Sequence, residues 1–276
     1  MIELNVVLYS YKNPNLVDVV RNLISSTTMS INAYVMDQHP LDRREKFKEF
    51  LNVNYIHKFW DNINSPLDFK YEKILDNSVI DAKYTLVISD DTMLSDGWAA
   101  KCLEFLNGNE SVLISGKGAR KAKKLDDYFI SWQEDSSELF SLTNFADRNF
   151  IFGHTKTFGK TGYPADVKYY GEEEKLSIMM YEKNISIYSA PTGTYEDLNV
   201  RTIENLYCPF SKEHNYNTLI DKLGTEIGKD WLSSLGIDSM PIKLFYQVDD
   251  VLYDPNDLKM VDLGGERYIA NTKAIY

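Results

Sequence analysis

The sequence is poor in cysteine and has no long hydrophobic run, and these shortages narrow what the chain can be. Its two cysteines, Cys102 and Cys208, stand far apart with no Cys-x-x-Cys or Cys-x-x-His spacing. Neither a disulfide framework nor a structural zinc site is expected, and a reducing cytoplasm fits. No stretch approaches the roughly 18 apolar residues of a membrane-spanning helix. The chain opens on an apolar strand pattern rather than a basic leader followed by a long apolar segment. A soluble, cytoplasmic protein without membrane contact is therefore expected. Positive charge is also scarce: 30 Lys and Arg against 41 Asp and Glu give a net charge of −11, which disfavours a protein that coats nucleic acid without specificity. Repeats and low-complexity tracts are absent. What is present, 276 residues with 43% hydrophobic content, suffices for one large α/β domain or two modest ones.

The stretch over residues 83–98, Lys-Tyr-Thr-Leu-Val-Ile-Ser-Asp-Asp-Thr-Met-Leu-Ser-Asp-Gly-Trp, organises the rest. Leu86, Val87 and Ile88 read as a buried strand that stops at two adjacent carboxylates. Burying Asp90 and Asp91 without a cation would cost several kcal/mol (~2–7 for a polar group alone). At a strand end such a pair suits a divalent cation that in turn holds a phosphate, since hard cations prefer oxygen ligands. A plainer reading has Asp90 capping the next helix and Asp91 solvated.

Taken in order, residues 4–9 form an apolar strand ending at Ser10-Tyr11-Lys12-Asn13-Pro14. A helix follows with Leu16, Val19, Val20, Leu23 and Ile24 at helical spacing. Asn13 suits its N-cap and Pro14 its first position. Residues 31–36 give a second strand, ending at Asp37. Residues 42–51 give an amphipathic helix with Phe47, Phe50 and Leu51 on one face, and residues 53–59 a third strand. Ser65-Pro66 opens a helix with Leu67, Tyr71, Leu75 and Val79 inward. After Trp98 a helix buries Cys102, Phe105 and Leu106, and residues 112–115 form a strand. Residues 116–124, Gly-Lys-Gly-Ala-Arg-Lys-Ala-Lys-Lys, place five cations together as a solvated loop or an anion-binding lip. Strands are expected at 128–132, 139–142 and 149–152, and a turn at 159–164. A helix opens at Glu172-Glu173-Glu174 with Leu176, Met179 and Met180 inward, before a strand at 185–189. Helices at 211–223 and 225–235 and short strands over 242–269 complete the chain. Alternating strands and helices imply a mostly parallel sheet with ligands beyond the strands' carboxyl ends. Tyr11, Asp37, His57 and Asp90 fall at such ends, with His57 and His154 read as structural.

Three blocks in this order resemble the GT-A fold of glycosyltransferases that use nucleotide-sugar donors. Leu8-Tyr9-Ser10-Tyr11-Lys12-Asn13-Pro14 is similar to the first strand and turn of bacterial family 2 enzymes and of cytoplasmic, Skp1-type polypeptide N-acetylglucosaminyltransferases. Residues 88–98, Ile-Ser-Asp-Asp-Thr-Met-Leu-Ser-Asp-Gly-Trp, resemble the metal motif of those families. Residues 170–177, Tyr-Gly-Glu-Glu-Glu-Lys-Leu-Ser, with Ile185-Ser186-Ile187-Tyr188, resemble their acidic helix and the strand after it. The resemblance covers roughly residues 1–195. It implies an α/β, GT-A (Rossmann-like) domain over residues 1–200, with a mostly parallel sheet and flanking helices. A smaller C-terminal α+β extension would occupy 201–276.

The resemblance further implies metal-assisted transfer of a sugar from a UDP-sugar to a hydroxyl of a macromolecular acceptor. Asp91, with Asp90, would hold Mn²⁺ or Mg²⁺. Tyr9, Ser10, Tyr11, Asp37, Lys70, Ser89 and Asp90 would contact the donor, with Asp37 near the nucleoside. Glu172 and Glu173 would face the sugar and acceptor as the catalytic carboxylates, since transfer needs a cation on the departing diphosphate and a carboxylate at the reacting centre. Two departures stand out. Ser89 replaces the first Asp of the families' Asp-x-Asp motif, and no His follows the strand at 185–189, so His214 or Glu196 would serve as the last metal ligand. Inversion and retention both stay open. The acceptor could be a protein or glycan hydroxyl, or a hydroxymethylated base in bacteriophage DNA, which would place the enzyme in the host cytoplasm. A catalytically degenerate homologue that only binds the nucleotide sugar is the alternative.

Overall fold

The computed structural model describes residues 2–10, 13–37, 39, 41–57, 73, 81–117, 119–126, 129–135, 137–147, 149–164, 172–198, 225–235, 246–248, 251–253, 258–263, 266–271 and 274–275. The elements come in the following order. First are β1 (Leu4–Ser10), α1 (Leu16–Ser25), β2 (Ile31–Asp37), α2 (Arg44–Phe47), β3 (Val53–His57) and β4 (Tyr84–Ser89). Next are β5 (Thr92–Leu94), α3 (Trp98–Leu106), β6 (Val112–Lys117), β7 (Ala119–Asp126), β8 (Phe129–Asp135) and β9 (Ser141–Leu142). Then follow β10 (Phe150–His154), α4 (Thr155–Thr161), α5 (Glu172–Glu182), β11 (Ser186–Ala190), β12 (Tyr195–Asp197) and α6 (Glu226–Ser234). Short strands over 246–248, 251–253, 258–263, 266–271 and 274–275 pair among themselves by antiparallel ladders.

Eight strands form the central sheet in the order β3-β2-β1-β4-β10-β6-β11-β9. Neighbours from β3 through β4 are parallel, whereas β10 runs antiparallel to both β4 and β6. The order reverses at β1, which places a crevice at the carboxyl ends of β1, β2 and β4, where open α/β sheets hold ligands. Because successive strand residues point to opposite faces, β1 divides its side chains between two cores. Leu4, Val6 and Leu8 meet α1 and α3 through Leu16, Val19, Leu23, Trp98 and Cys102. Val7 meets the opposite core with Phe158 of α4 and Leu176 and Met180 of α5. The molecule is thus a helix–sheet–helix sandwich, as the alternating pattern implies.

Several sequence expectations change. Helix α1 starts at Leu16 with Asn15 as its N-cap residue. Asn13 instead accepts a hydrogen bond from the Asn15 backbone N–H at 2.7 Å and sends its amide elsewhere. The helix expected over 42–51 shrinks to one turn, since Phe47 stacks on Tyr55 at 4.4 Å and the chain bends at once into β3, leaving Leu51 95% exposed. The turn expected at 159–164 begins only at Gly162, whose positive φ of 77° ends α4, so Gly159 is helical. The cation-rich segment is a strand rather than a loop: β7 pairs antiparallel with β8, Lys121 opposite Gln133 and Lys123 opposite Ser131. Of the helix expected at 65–79 only residue 73 is described, and it is helical, while the helix expected at 211–223 lies outside the described residues.

Candidate active site at the carboxyl edge of the sheet

Strand β4 delivers Asp90 and Asp91 into a turn at the carboxyl edge, and β5 leaves the turn to pair with β12. Asp90 is buried, 8% exposed, and Asp91 is half-buried. The Ser10 hydroxyl, at the end of β1, donates to Asp90 Oδ2 at 2.8 Å. The Asn13 amide donates to the Asp90 backbone carbonyl. On its far side the turn receives the Leu198 backbone N–H on the Asp91 carbonyl at 2.8 Å. One carboxylate is therefore held inside the protein while its neighbour is left nearer solvent.

The end of β2 supplies an ion pair. Asp37 is 0% and Arg43 7% exposed. The Arg43 guanidinium grips both Asp37 oxygens, Nε and Nη2 each at 2.8 Å. Tyr55 donates its hydroxyl to Asp37 Oδ2 at 2.8 Å, and the His39 backbone N–H donates to Oδ1 at 3.0 Å. Burial, with the Asp37 carboxylate beside it, holds the Tyr55 hydroxyl protonated far above the usual tyrosine range. Such fork-on-fork pairs fix geometry as well as charge. The third guanidinium nitrogen, Nη1, donates to the Asn13 backbone carbonyl at 2.5 Å.

The other flank of the acidic turn rests on Asn149, at the start of β10. Its backbone carbonyl accepts from the Ser89 N–H at 3.2 Å and from the Thr92 hydroxyl at 3.1 Å, and its side-chain oxygen accepts from the Ser89 hydroxyl at 3.0 Å. Asn149 is steadied in turn by buried Asp147, which accepts its N–H at 3.0 Å. Asp147 lies against Gly116 with the Tyr195 hydroxyl: a Cβ on Gly116 would meet that hydroxyl at 2.5 Å and Asp147 Oδ2 at 2.8 Å, so a larger residue there would have to displace one of them. Helix α5 precedes β11, which runs parallel to β6, and its first turn therefore lies at the same carboxyl edge. Ser177 ties it there, accepting from the Ala146 N–H at 2.8 Å and donating to the Glu173 carbonyl at 2.5 Å. Glu173 is half-buried and Glu174 buried.

The fold brings Ser10, Ser89, Asp90 and Asp91 together, as expected from sequence, with the first turn of α5 on the same edge. Two of the expected donor contacts have their polar side-chain atoms engaged within the protein. Asp37 receives four hydrogen bonds, from Arg43, Tyr55 and the His39 backbone, which occupy the lone-pair directions a carboxylate has. Ser89, expected among the donor contacts, donates its hydroxyl to the Asn149 side-chain oxygen. Tyr9 packs its ring against the core that contains Val7 and Val87. His57 is structural, bonded to the His39 carbonyl at 2.8 Å. His154 is buried beside Tyr84 at the amino end of β4, far from the acidic turn. Tyr11, Lys70 and His214, and the Glu172 side chain, lie outside the described residues. Arg43, Asn149 and Asp147 escaped the sequence reading, since an isolated Arg, Asn or Asp carries no periodic or motif signal.

Oxygen donors at Asp90 and Asp91 suit Mn²⁺ or Mg²⁺. Among the described residues no three His, Cys, Asp or Glu converge as a metal cage, and Glu196 is exposed on β12. The set fits a cation that completes its shell with phosphate and water, as Mg²⁺ sites commonly do. A groove of about 470 Å³ lined by Tyr181, Asn184, Ser186 and Ile227 opens at the amino end of β11, on the opposite edge, and takes no part. No described helix is long and apolar enough to cross a membrane.

No protein-family model matches the chain, and no curated protein matches it by sequence. Solved structures do match its fold. Residues 1–349 of S. aureus TarS superpose with a TM-score of 0.54 at 13% identity, covering 84% of this chain and 71% of that one. The complex of TarS 1–349 with UDP-GlcNAc gives 0.57 at 11%, covering 84% and 72%. GalNAc-T7 with UDP, GalNAc and Mn²⁺ gives 0.56 at 11%, covering 86% of this chain and 55% of that one. Both proteins are GT-A fold glycosyltransferases, and the chain shares that fold.

Proposed function

We propose that the chain is a glycosyltransferase that moves a sugar from a UDP-sugar to a hydroxyl of a macromolecular acceptor with help from Mn²⁺ or Mg²⁺. The observation that carries this reading is the acidic turn at the carboxyl edge, where Asp90 is fixed by Ser10 and Asn13 while Asp91 stays half-buried. TarS bound to UDP-GlcNAc and GalNAc-T7 bound to UDP and Mn²⁺ lend support through the shared fold.

In this reading Asp91, with Asp90, holds the cation. The cation, when bound, supplies positive charge that stabilises the departing diphosphate. The acceptor oxygen bonds to the sugar C1, and the C1–O bond to the β-phosphate breaks with its electron pair leaving on UDP. The acceptor proton passes to a carboxylate on the first turn of α5, Glu172 or Glu173. The foremost acceptor is a hydroxymethylated base in phage DNA, with a protein or glycan hydroxyl as competitor. Strand β7 and the residues before it support DNA, since Lys117, Arg120, Lys121, Lys123 and Lys124 gather cations in a chain of net charge −11, and phosphate contacts dominate affinity for DNA. A second reading, a nucleotide-sugar binder without turnover, is favoured by the engagement of the Ser89 hydroxyl with Asn149.

Calorimetry with UDP tests the donor site. Affinity should fall at least tenfold on adding chelator, and Asp91→Asn should show the weak value with or without metal. Equal affinity in all four titrations would refute the cation role of Asp91.

A further inference from the structure

We propose that Arg43 is a positioning residue for the acidic turn, acting at a distance through Asn13. The inference rests on the donor-site reading of that turn but adds a part the reading does not need. Arg43 follows β2, on the far side of β1 from Asp90, and touches neither acidic side chain of the turn. Its three guanidinium nitrogens are nevertheless placed so that each has one partner: Nε and Nη2 on Asp37, and Nη1 on the Asn13 backbone carbonyl. Asn13 extends the line in both directions. Its side-chain oxygen accepts the Asn15 N–H at the start of α1, and its amide donates to the Asp90 backbone carbonyl. Tyr55 closes the other end, donating to Asp37 while accepting the Arg43 N–H at 3.1 Å.

The relay therefore runs from β3 through Asp37 and Arg43 to Asn13, and from there to the turn that carries Asp90 and Asp91. A buried cation in a low-dielectric setting must be fully satisfied or it is strongly unfavourable, so its geometry admits little slack. That rigidity is passed to residue 13, which has no regular hydrogen-bond ladder of its own to hold it. The consequence is a pre-set angle at Asp90, and hence a pre-set direction for the neighbouring Asp91 carboxylate. Preorganisation of this kind raises affinity by removing the ordering that binding would otherwise require. Lysine at position 43 keeps the charge but loses the planar fork, and so tests geometry apart from charge.

The experiment compares wild type with Arg43→Lys and Asn13→Ala in two measurements. The first is amide hydrogen exchange over residues 89–94 in the free protein, with residues 85–88 of the same strand as internal control. The second is the ratio of UDP affinities with Mn²⁺ and with chelator. Asn13→Ala removes no buried charge and remains informative if Arg43→Lys fails to fold. Exchange at 89–94 should rise at least tenfold while 85–88 stays within twofold, and the Mn²⁺-to-chelator ratio should fall at least fivefold with metal-free affinity unchanged. A general loss of stability would instead accelerate both stretches together, and that outcome overturns the proposal. So does an unchanged ratio in a wild type that binds UDP with metal. If wild-type protein binds no UDP, the donor-site reading fails, and local loosening at 89–94 in Asn13→Ala still upholds the positioning role.

Discussion

At the scale of single residues the fold separates groups that hold from groups that are held. Asp37 looks in sequence like a ligand contact, being an acid at a strand end. Its carboxylate is instead consumed by Arg43, Tyr55 and His39. Replacing Arg43 by Ala should destabilise the protein by about 3–5 kcal/mol, as expected when one partner of a buried pair is removed, measurable by urea denaturation. His154 makes a different prediction. Burial holds its imidazole below the ordinary histidine range, so the unfolded chain binds the proton more readily than the native one. Stability is thus full above the unfolded value of about 6.5 and declines as pH falls from there toward the lowered native value. Urea melts at pH 8 and pH 5 should show a smaller acid loss in His154→Leu than in wild type; an equal loss would assign the pH dependence to other groups. Buried Cys102, its thiol pushed up to about 12 by burial, should resist alkylation in the native protein and react on unfolding, as peptide mapping of that residue can verify.

At the scale of elements, the sequence revealed those whose signal is local. Strands β1, β2 and β4 are apolar runs that end at polar residues, and α1 and α3 carry apolar side chains at helical spacing; each emerges within a residue or two of its expected bounds. Where tertiary packing decides, the sequence was silent. Phe47, Phe50 and Leu51 suggest one helix face, but Phe47 docks on Tyr55 and Leu51 is left in solvent. The cations of β7 have low strand propensity, and pairing with β8 makes the strand. The turn leading into α3 adds a prediction. Gly97 adopts φ 76° with open space where a Cβ would stand, so Gly97→Ala should cost about 1–2 kcal/mol from backbone strain alone. Trp98 after it, edge-on to Phe150 and Phe152, should cost about 3–5 kcal/mol when cut to Ala. Thermal or urea melts measure both.

At the scale of the whole molecule, a reversal of strand order gathers the candidate site. Ser10, Asp37 and Asp90 are far apart in sequence, yet adjacent strands bring them to one edge. The carboxylates were legible in the sequence because an apolar run stopping at two acids is unusual. The frame around them, Arg43, Asn13 and Asn149, was not, because each acts through a long-range hydrogen bond. Helix α6 docks on the main sheet's flank, Trp231 donating to the Asn144 carbonyl at 2.9 Å; we propose that residues 201–276 form an extension of the domain spanning 1–200. Charge supplies a prediction for the acceptor. If that acceptor is DNA, replacing Lys121, Lys123 and Lys124 by Ala should reduce the slope of log affinity against log salt by about 0.9 for each phosphate no longer neutralised, with UDP affinity unchanged. An unaltered slope would point to a protein or glycan instead.

The central claim, sugar transfer from a UDP-sugar, is tested most directly by UDP release. Purified protein is incubated with Mn²⁺ and a panel of UDP-sugars, with hydroxymethylated DNA, protein or glycan supplied in turn as acceptor, and free UDP is followed over time. Wild type should release UDP from at least one donor, faster with acceptor present. Glu172→Gln, Glu173→Gln or both should slow release by about a hundredfold or more, as loss of an acid–base group does, while UDP affinity stays within a few fold. Release that continues undiminished in the double variant would contradict the assignment of the α5 carboxylates. Tight, metal-dependent UDP binding with no release from any donor, with DNA, protein or glycan acceptors alike, would contradict catalysis itself.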